Sequence, residues 1–132
     1  MTSKELALKC AGIASEKKGQ NLTIIKIGDI SNIADFFVIV SGTSSRQIQT
    51  IADEIETYYK TTEESPRIEG YKQANWIVID MGDVVVHLFT PDLRYHFDLE
   101  ALWQNAPRIK MSGETIKEEE TPELIWTKKR RL

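Results

Sequence analysis

Residues 76–89 read WIVIDMGDVVVHLF, two apolar segments separated by the polar stretch DMGD. Both arms, Trp76–Ile79 and Val84–Phe89, are rich in Val and Ile, whose branched side chains favour strands over helices. Gly82 can adopt a positive φ and Asp is common in tight turns, so the stretch predicts a β-hairpin. The arms are almost continuously apolar and do not alternate, which indicates that both faces of the sheet are at least partly covered.

A strand, a glycine turn and a helix follow one another upstream of this hairpin. Asp35–Ser41 reads DFFVIVS and runs directly into GTSSRQIQTIADEIETYY. Ser44 and Gln47 have the spacing of a capping box at a helix N-terminus. Apolar residues at helical spacing come next, namely Ile48, Ile51, Ala52, Ile55 and Tyr59. Together these signals predict the first half of a βαβ unit.

The remaining elements of the first hundred residues are less sharply marked. They are a helix over residues 3–18 with Ser3 as its N-cap, a strand over 22–27, an edge strand over 67–71, and a helix that begins at Thr90-Pro91 and runs to about Trp103.

The regular pattern ends after Pro107. Residues 108–132 contain a run of three glutamates and the basic cluster Lys128–Arg131, a composition typical of a flexible tail. The last predicted helix ends at about Trp103, so we divide the chain into one domain, residues 1–103, and a flexible charged tail, residues 104–132.

The composition bounds the class of protein. At 132 residues, with 41% apolar and 28% charged residues, the chain is long enough for one globular domain with a core. No apolar run is long enough to cross a membrane and the N-terminus lacks a signal-peptide stretch, so we expect a cytoplasmic protein. Cys10 is the single cysteine, which excludes an internal disulfide and a cysteine-based zinc site. We expect it to be a buried core residue.

The charge is unevenly distributed along the chain. The formal net charge is −3, but residues 104–132 hold seven Lys or Arg and five Asp or Glu, which leaves −5 on residues 1–103. Nonspecific nucleic-acid binding depends on cationic patches that neutralise phosphates, so an acidic domain argues against direct nucleic-acid recognition. It favours a basic partner protein.

The turn at residues 41–47 is a candidate phosphate site. A helix N-terminus presents free N–H groups, and Arg46 could add positive charge. The stretch lacks the Lys of a Walker loop, and a nucleotidyltransferase would also need carboxylates that converge on magnesium. Asp80 and Asp83 are separated by a turn, and the only Asp-x-Glu pair is on a predicted helix, so no metal site is predicted. A structurally capped helix is the favoured interpretation, and phosphate or nucleotide binding is the alternative.

The two histidines do not predict an enzyme. No second cysteine and no serine-based motif accompanies them, so neither a zinc site nor a catalytic triad is supported. We expect His87 to be a half-buried strand residue with a backbone or carboxylate partner. We expect His96 to lie at the surface.

Trp76 is the most informative single residue. It opens a strand, where it either closes the core or anchors a partner, since Trp is enriched at binding hot spots. Met81 lies at the hairpin tip, where we expect it to be exposed, and this favours the second interpretation. Asp80, Asp83 and Glu69 would make the surface acidic.

Two longer segments carry a family resemblance. Residues 34–56, ADFFVIVSGTSSRQIQTIADEIE, and residues 74–103, ANWIVIDMGDVVVHLFTPDLRYHFDLEALW, resemble the ribosomal silencing factor family, also known as iojap or YbeB-like proteins. The paired motifs GTSSRQ and WIVIDMGDVVVH are specific. The resemblance covers residues 3–103, and residues from Gln104 onward lie outside the family pattern.

The resemblance implies a compact α/β domain with a mixed β-sheet flanked by helices. This domain is related in topology to nucleotidyltransferases but lacks their metal-binding acids and has no cofactor. It implies a non-enzymatic factor that binds the large ribosomal subunit through ribosomal protein L-fourteen. Bound there, such a factor blocks subunit joining sterically and represses translation. Family members are also able to self-associate as homodimers.

Carried over to this sequence, the resemblance places partner-binding residues on the hairpin and the third helix. They are Trp76, Asp80, Met81, Asp83, Val86, Leu88, Arg94 and Tyr95. The residues themselves favour Trp76, Met81 and the two acids as contacts, but they do not identify which face of the sheet binds.

Overall fold

The computed structural model describes residues 1–112 and 115–119. Within them the chain forms four α-helices and seven strands. In chain order these are α1 (Ser3–Glu16), β1 (Gln20–Ile25), β2 (Phe36–Ser41), α2 (Ser45–Lys60), β3 (Arg67–Glu69), β4 (Trp76–Asp80), β5 (Val84–Phe89), α3 (Pro91–Phe97), α4 (Leu99–Leu102), β6 (Arg108–Ser112) and β7 (Thr115–Glu119).

The strands form one mixed sheet in the order β3-β4-β5-β2-β1-β6-β7. β2 and β5 pair in parallel, and the other neighbouring strands pair antiparallel. This confirms the predicted α/β fold with a mixed sheet. The βαβ prediction was incomplete, because α2 leads to β3 at the sheet edge. β3 has the same direction as β2, but β4 and β5 lie between them.

The predicted hairpin is formed by β4 and β5. Gly82 has a φ of 85°, a conformation that glycine adopts without steric cost. Its N–H donates to Asp80 Oδ1 at 2.8 Å, and the Met81 N–H donates to the Val84 carbonyl at 2.9 Å. The turn residues therefore close the hairpin by local hydrogen bonds, as Asp and Gly do in tight turns.

Both faces of the sheet bury an apolar cluster, as the continuous apolar arms predicted. On one face α1 and α2 cover β-strand residues that include Val38, Val86 and Leu88. On the other face α3, α4 and Trp103 pack near Phe37 and Phe89. Every residue of β2 and β5 is buried, so this central parallel pair is covered on both sides.

The start of α2 confirms the predicted cap, with one difference. Ser44 Oγ accepts the Gln47 N–H at 3.1 Å, but Gln47 Oε1 accepts the Thr43 N–H at 2.6 Å, where a standard capping box would use the amide of the cap residue itself. Gln47 Nε2 also donates to the carbonyls of Lys17 and Lys18. This side chain therefore joins the end of α1 to the start of α2.

The predicted helix ends need two corrections. The N-cap of α1 is Thr2 rather than Ser3, since Thr2 Oγ1 accepts the Glu5 N–H. The helix predicted from Thr90 to Trp103 is broken at Asp98, which has a left-handed conformation with φ 43°. Asp tolerates this conformation because its short polar side chain can bond locally, and here Asp98 Oδ1 caps α4.

The predicted tail begins too early. Residues 104–112 continue the fold, because β6 pairs with β1 and Ile109 is buried opposite Ile24. Arg108 Nη2 also donates to the Glu100 carbonyl. A single buried Ile between charged residues has no periodicity, which is why the sequence did not predict this strand. The basic cluster Lys128–Arg131 lies outside the described residues.

We predict that Gly70→Ala destabilises the fold far more than Gly82→Ala. Both glycines have a positive φ, which costs a non-glycine residue roughly 1–2 kcal/mol. An added Cβ at Gly70 would also overlap the Trp76 carbonyl oxygen, whereas a Cβ at Gly82 meets no atom within 4 Å. We expect a loss of about 3 kcal/mol or more for Gly70→Ala and about 1 kcal/mol for Gly82→Ala in urea unfolding. Equal losses would contradict the close approach of β3 and β4.

Candidate partner-binding surface

The strand register defines a rim on the face of the sheet that carries α3 and α4. Directly opposed residues share a face, so rows run from β3 across β4 to β5. The rows are Trp76–Phe89, Glu69–Val78–His87 and Arg67–Asp80–Val85. The β5 members are buried, the β4 members are half-buried, and the β3 members are exposed. The helices therefore cover the centre of this face and leave its β3–β4 edge accessible.

The Trp76 indole is held from three directions. It stacks on Phe89 with ring centroids 5.0 Å apart and contacts the Phe97 ring of α3 at 4.7 Å. Its Nε1–H donates to Nδ1 of His87 at 3.1 Å. The ring is half-buried, so both interpretations of Trp76 have structural support: it closes the apolar cluster and still presents part of its surface.

His87 lies beneath this tryptophan and is only 6% exposed. Its partner is the Trp76 indole, not the backbone or carboxylate group that the sequence predicted. Because Nδ1 accepts a hydrogen bond, the neutral imidazole carries its proton on Nε2. Nε2 is buried and has no hydrogen-bond partner among the described residues. Burial lowers the pKa of His87 from 6.5 to about 4, so the ring is neutral near pH 7.

Phe97 is a member of this surface that sequence reasoning missed. It is 45% exposed although it contacts Trp76. Its helical spacing from Leu93 is that of an inward-facing residue, but α3 ends at Phe97, immediately before the left-handed Asp98. We define the Trp76 surface as the half-buried or exposed residues Trp76, Val78, Asp80 and Phe97, with Arg67 and Glu69 at its rim.

Three residues of the predicted set are buried under the other helices. Val86 and Leu88 are fully buried and Met81 is 7% exposed, all in the cluster beneath α1 and α2. The expected exposure of Met81 was wrong, because the tip residue packs inward beside Tyr59. Val86 and Leu88 alternate with His87 and point to the opposite face. None of these side chains is accessible to a partner in this fold.

Arg94 holds α3 and α4 against the sheet. Its Nε pairs with Glu100 at 2.8 Å, its Nη1 donates to Ser41 Oγ at 2.9 Å, and its Nη2 donates to Thr23 Oγ1 at 3.3 Å. With its side chain 11% exposed, Arg94 is committed to these contacts. Tyr95 is 89% exposed, but it borders a cavity with Asn21 and Ser41 rather than the Trp76 surface.

Of the three predicted acids, Asp80 and Glu69 lie on the Trp76 surface, whereas Asp83 borders a different cavity. Asp80 lies on the same face of β4 as Trp76, and Val78 lies between them on that face. Asp83 lies in the turn and borders a cavity of about 340 Å³ together with Tyr59 and Glu64. There a 2.6 Å hydrogen bond to Glu64, followed by burial and the nearby Asp83 and Asp80 charges, raises the pKa of Tyr59 to about 12.

The turn at residues 42–47 is a helix cap in this structure. The amides of Thr43 and Gln47 are both bound by side chains within the turn. This agrees with the structural interpretation of the motif. Within residues 1–112 and 115–119 there is no group of three or more His, Cys, Asp or Glu that could hold a metal ion. In the same part of the chain, no helix combines the length and apolar character needed to span a bilayer.

Comparisons with known proteins agree with the resemblance seen in the two motifs. Residues 1–131 match the family described as "Ribosomal silencing factor during starvation". The family match therefore extends well beyond residue 103, where the sequence analysis had placed its end.

Two relatives and one solved structure illustrate the similarity. The ribosomal silencing factor RsfS of Halalkalibacterium halodurans is 40% identical over 114 residues, which cover 86% of this chain and 97% of that protein. The RsfS of Bacillus subtilis is 35% identical over 108 residues, which cover 81% of this chain and 92% of that protein. A crystal structure of a Chromobacterium violaceum protein superposes with a TM-score of 0.75 at 26% identity, covering 79% of this chain and 88% of the other.

We predict that His87 makes the stability of the protein depend on pH between about 6.5 and 4. Over this range the unfolded chain binds a proton at His87 and the folded chain does not, so stability falls as the pH is lowered. The free energy of unfolding is lowered by about 3 kcal/mol once the pH is below both pKa values. Urea unfolding at several pH values should show that His87→Phe lacks this contribution. Identical pH dependence in the two proteins would contradict a buried, neutral His87.

Proposed function

Because the chain belongs to the ribosomal silencing factor family, we propose that it represses translation by binding the large ribosomal subunit and blocking its joining to the small subunit. The family match over residues 1–131 is the observation that carries this proposal. The proposed contact on the ribosome is ribosomal protein L-fourteen, the partner that the family resemblance implies. The proposed site of action is the cytoplasm, and homodimer formation remains a prediction of the resemblance.

The Trp76 surface is the proposed docking site. Trp and other aromatic residues are enriched among the few interface residues that dominate binding energy. Trp76 and Phe97 present apolar area, and hydrogen bonding and stacking hold the indole in one orientation. A preorganised anchor is favourable because little side-chain entropy is lost on binding. Of the residues carried over from the family, Trp76 and Asp80 fit this site.

The charge of the fold suits a basic partner. Residues 1–112 contain the helices and strands β1 to β6 of the sheet. They carry fifteen Asp or Glu and twelve Lys or Arg. Asp80 lies on the same strand face as Trp76, with Val78 between them, where its carboxylate can pair with a Lys or Arg of a partner. Charges at an interface rim contribute mainly to association rate and specificity.

The proposed mechanism is steric and requires no chemical step. A surface of about 800 Å² per partner with a few well-packed anchors is sufficient for a specific complex. A protein bound through such an area, on the face of the large subunit that meets the small subunit, occupies space that the small subunit needs.

We predict that Trp76→Ala weakens binding to isolated large subunits by more than about 1 kcal/mol. The substitution removes the indole that both packs on Phe97 and faces the proposed partner. Pelleting of the protein with purified subunits measures the effect. Tyr71→Ala is the matched control, because Tyr71 is an exposed aromatic residue bonded to Asp53 of α2. If Trp76→Ala binds as tightly as Tyr71→Ala, Trp76 is not part of the interface.

We predict that Asp80→Asn reduces the affinity for large subunits by up to about 1 kcal/mol and makes binding less sensitive to salt. Asparagine keeps the Oδ1 that accepts the Gly82 N–H, so the turn is retained while the charge is removed. Glu16→Gln, at the exposed end of α1, is the control for net charge alone. An unchanged salt dependence in Asp80→Asn would remove this charge from the proposed interface.

A further inference from the structure

The contact between Trp76 and His87 joins an accessible residue to a buried one. His87 is 6% exposed and sits among Phe37, Trp76 and Phe89, with ring centroids 4.6, 5.9 and 6.2 Å from its own. Its Nδ1 accepts the indole Nε1–H at 3.1 Å. Of the groups around the indole, the imidazole supplies a directional bond, and the aromatic rings supply only packing.

The stability of the apolar cluster does not require a histidine at this position. Phe37, Trp76 and Phe89 surround it with aromatic rings, so its surroundings are apolar. The imidazole also leaves its Nε2–H buried without a partner among the described residues. A buried unpaired donor typically costs about 1–3 kcal/mol. A residue that weakens the core it belongs to is expected to serve another purpose.

We propose that His87 is a positioning residue of the Trp76 surface: its Nδ1 fixes the indole in the orientation that the partner recognises. This inference rests on the proposed function, since it takes the Trp76 surface as the docking site. His87 itself does not touch the partner. Its role requires the tautomer with the proton on Nε2, because a protonated Nδ1 cannot accept the indole N–H.

Two substitutions of His87 separate this role from a structural one. His87→Phe keeps a flat ring in the cluster but has no acceptor. His87→Asn carries its carbonyl oxygen Oδ1 at the same point along the side chain as Nδ1, so it can accept the indole N–H. Its amide group, however, is left in apolar surroundings, which lowers stability. His87→Phe should therefore keep the stability of the protein but lose the fixed orientation of the indole. His87→Asn should keep the orientation of the indole but lower the stability.

The full-length protein and both variants are compared by three measurements. These are binding to purified large subunits, the midpoint of thermal unfolding, and the indole N–H resonance of Trp76 in ¹H–¹⁵N spectra. The chain has three tryptophans, and the resonance is assigned by its loss in Trp76→Phe. We expect His87→Phe to bind about tenfold more weakly, the equivalent of one hydrogen bond, with an unchanged or higher unfolding midpoint.

We expect His87→Asn to bind within about threefold of the unsubstituted protein despite a lower midpoint. The indole resonance should shift in His87→Phe and stay close to its original position in His87→Asn. Unchanged binding by His87→Phe would overturn the inference. A loss of binding in both variants that is proportional to their loss of stability would also overturn the inference.

A measurement on the unsubstituted protein keeps the inference testable if a variant does not fold. Imidazole ¹⁵N shifts report which ring nitrogen is protonated, and a protonated Nδ1 in His87 would overturn the inference. Failure of the proposed function would look different. In that case Trp76→Ala would bind as the unsubstituted protein does, while the imidazole shifts would still show the unprotonated Nδ1.

Discussion

The parallel pairing of β2 with β5 is the constraint on which the rest of the fold depends. Six consecutive residue pairs join the two strands, from Phe36 with Val84 to Ser41 with Phe89. Every residue of both strands is buried, so helices must cover both faces of the sheet. The Asp83 carbonyl accepts the N–H groups of Asp35 and Phe36, and the Gly42 N–H donates to the Phe89 carbonyl. Backbone hydrogen bonds therefore fix both ends of the central pair.

This arrangement explains where the accessible aromatic surface lies. Phe89, at the end of the central pair, forms the base on which Trp76 stacks. α3 starts two residues after β5, and Arg94 holds it to Ser41 of β2. Phe97, at the end of α3, also contacts the indole, with ring centroids 4.7 Å apart. The same contacts that stabilise the second apolar cluster thus hold Trp76 at the rim of the sheet. Its orientation is a property of the core.

Local signals in the sequence predicted the elements that depend on neighbouring residues. The DMGD turn, the branched residues of the hairpin and the Ser44–Gln47 cap each act within a few residues, and the structure confirms them. The two paired motifs also identified the family. Features set by tertiary contacts were not predicted. Val86 and Leu88 occupy the face beneath α1 and α2, but a continuously apolar strand contains no alternation that would identify its faces. Met81 was expected to be exposed because turn residues usually are, yet it is buried in the same apolar cluster as Tyr59. β6 owes its place to pairing with β1, which a short charged stretch does not reveal.

The most direct test of the account is to mix separated ribosomal subunits with the protein and measure the fraction that joins. The account predicts that the unsubstituted protein lowers the joined fraction in proportion to its occupancy of the large subunit. We also predict that, at a protein concentration near the dissociation constant of the unsubstituted protein, folded Trp76→Ala leaves a clearly larger joined fraction. A joined fraction that is unaffected by the unsubstituted protein, or equally reduced by both proteins, would contradict a steric block through the Trp76 surface.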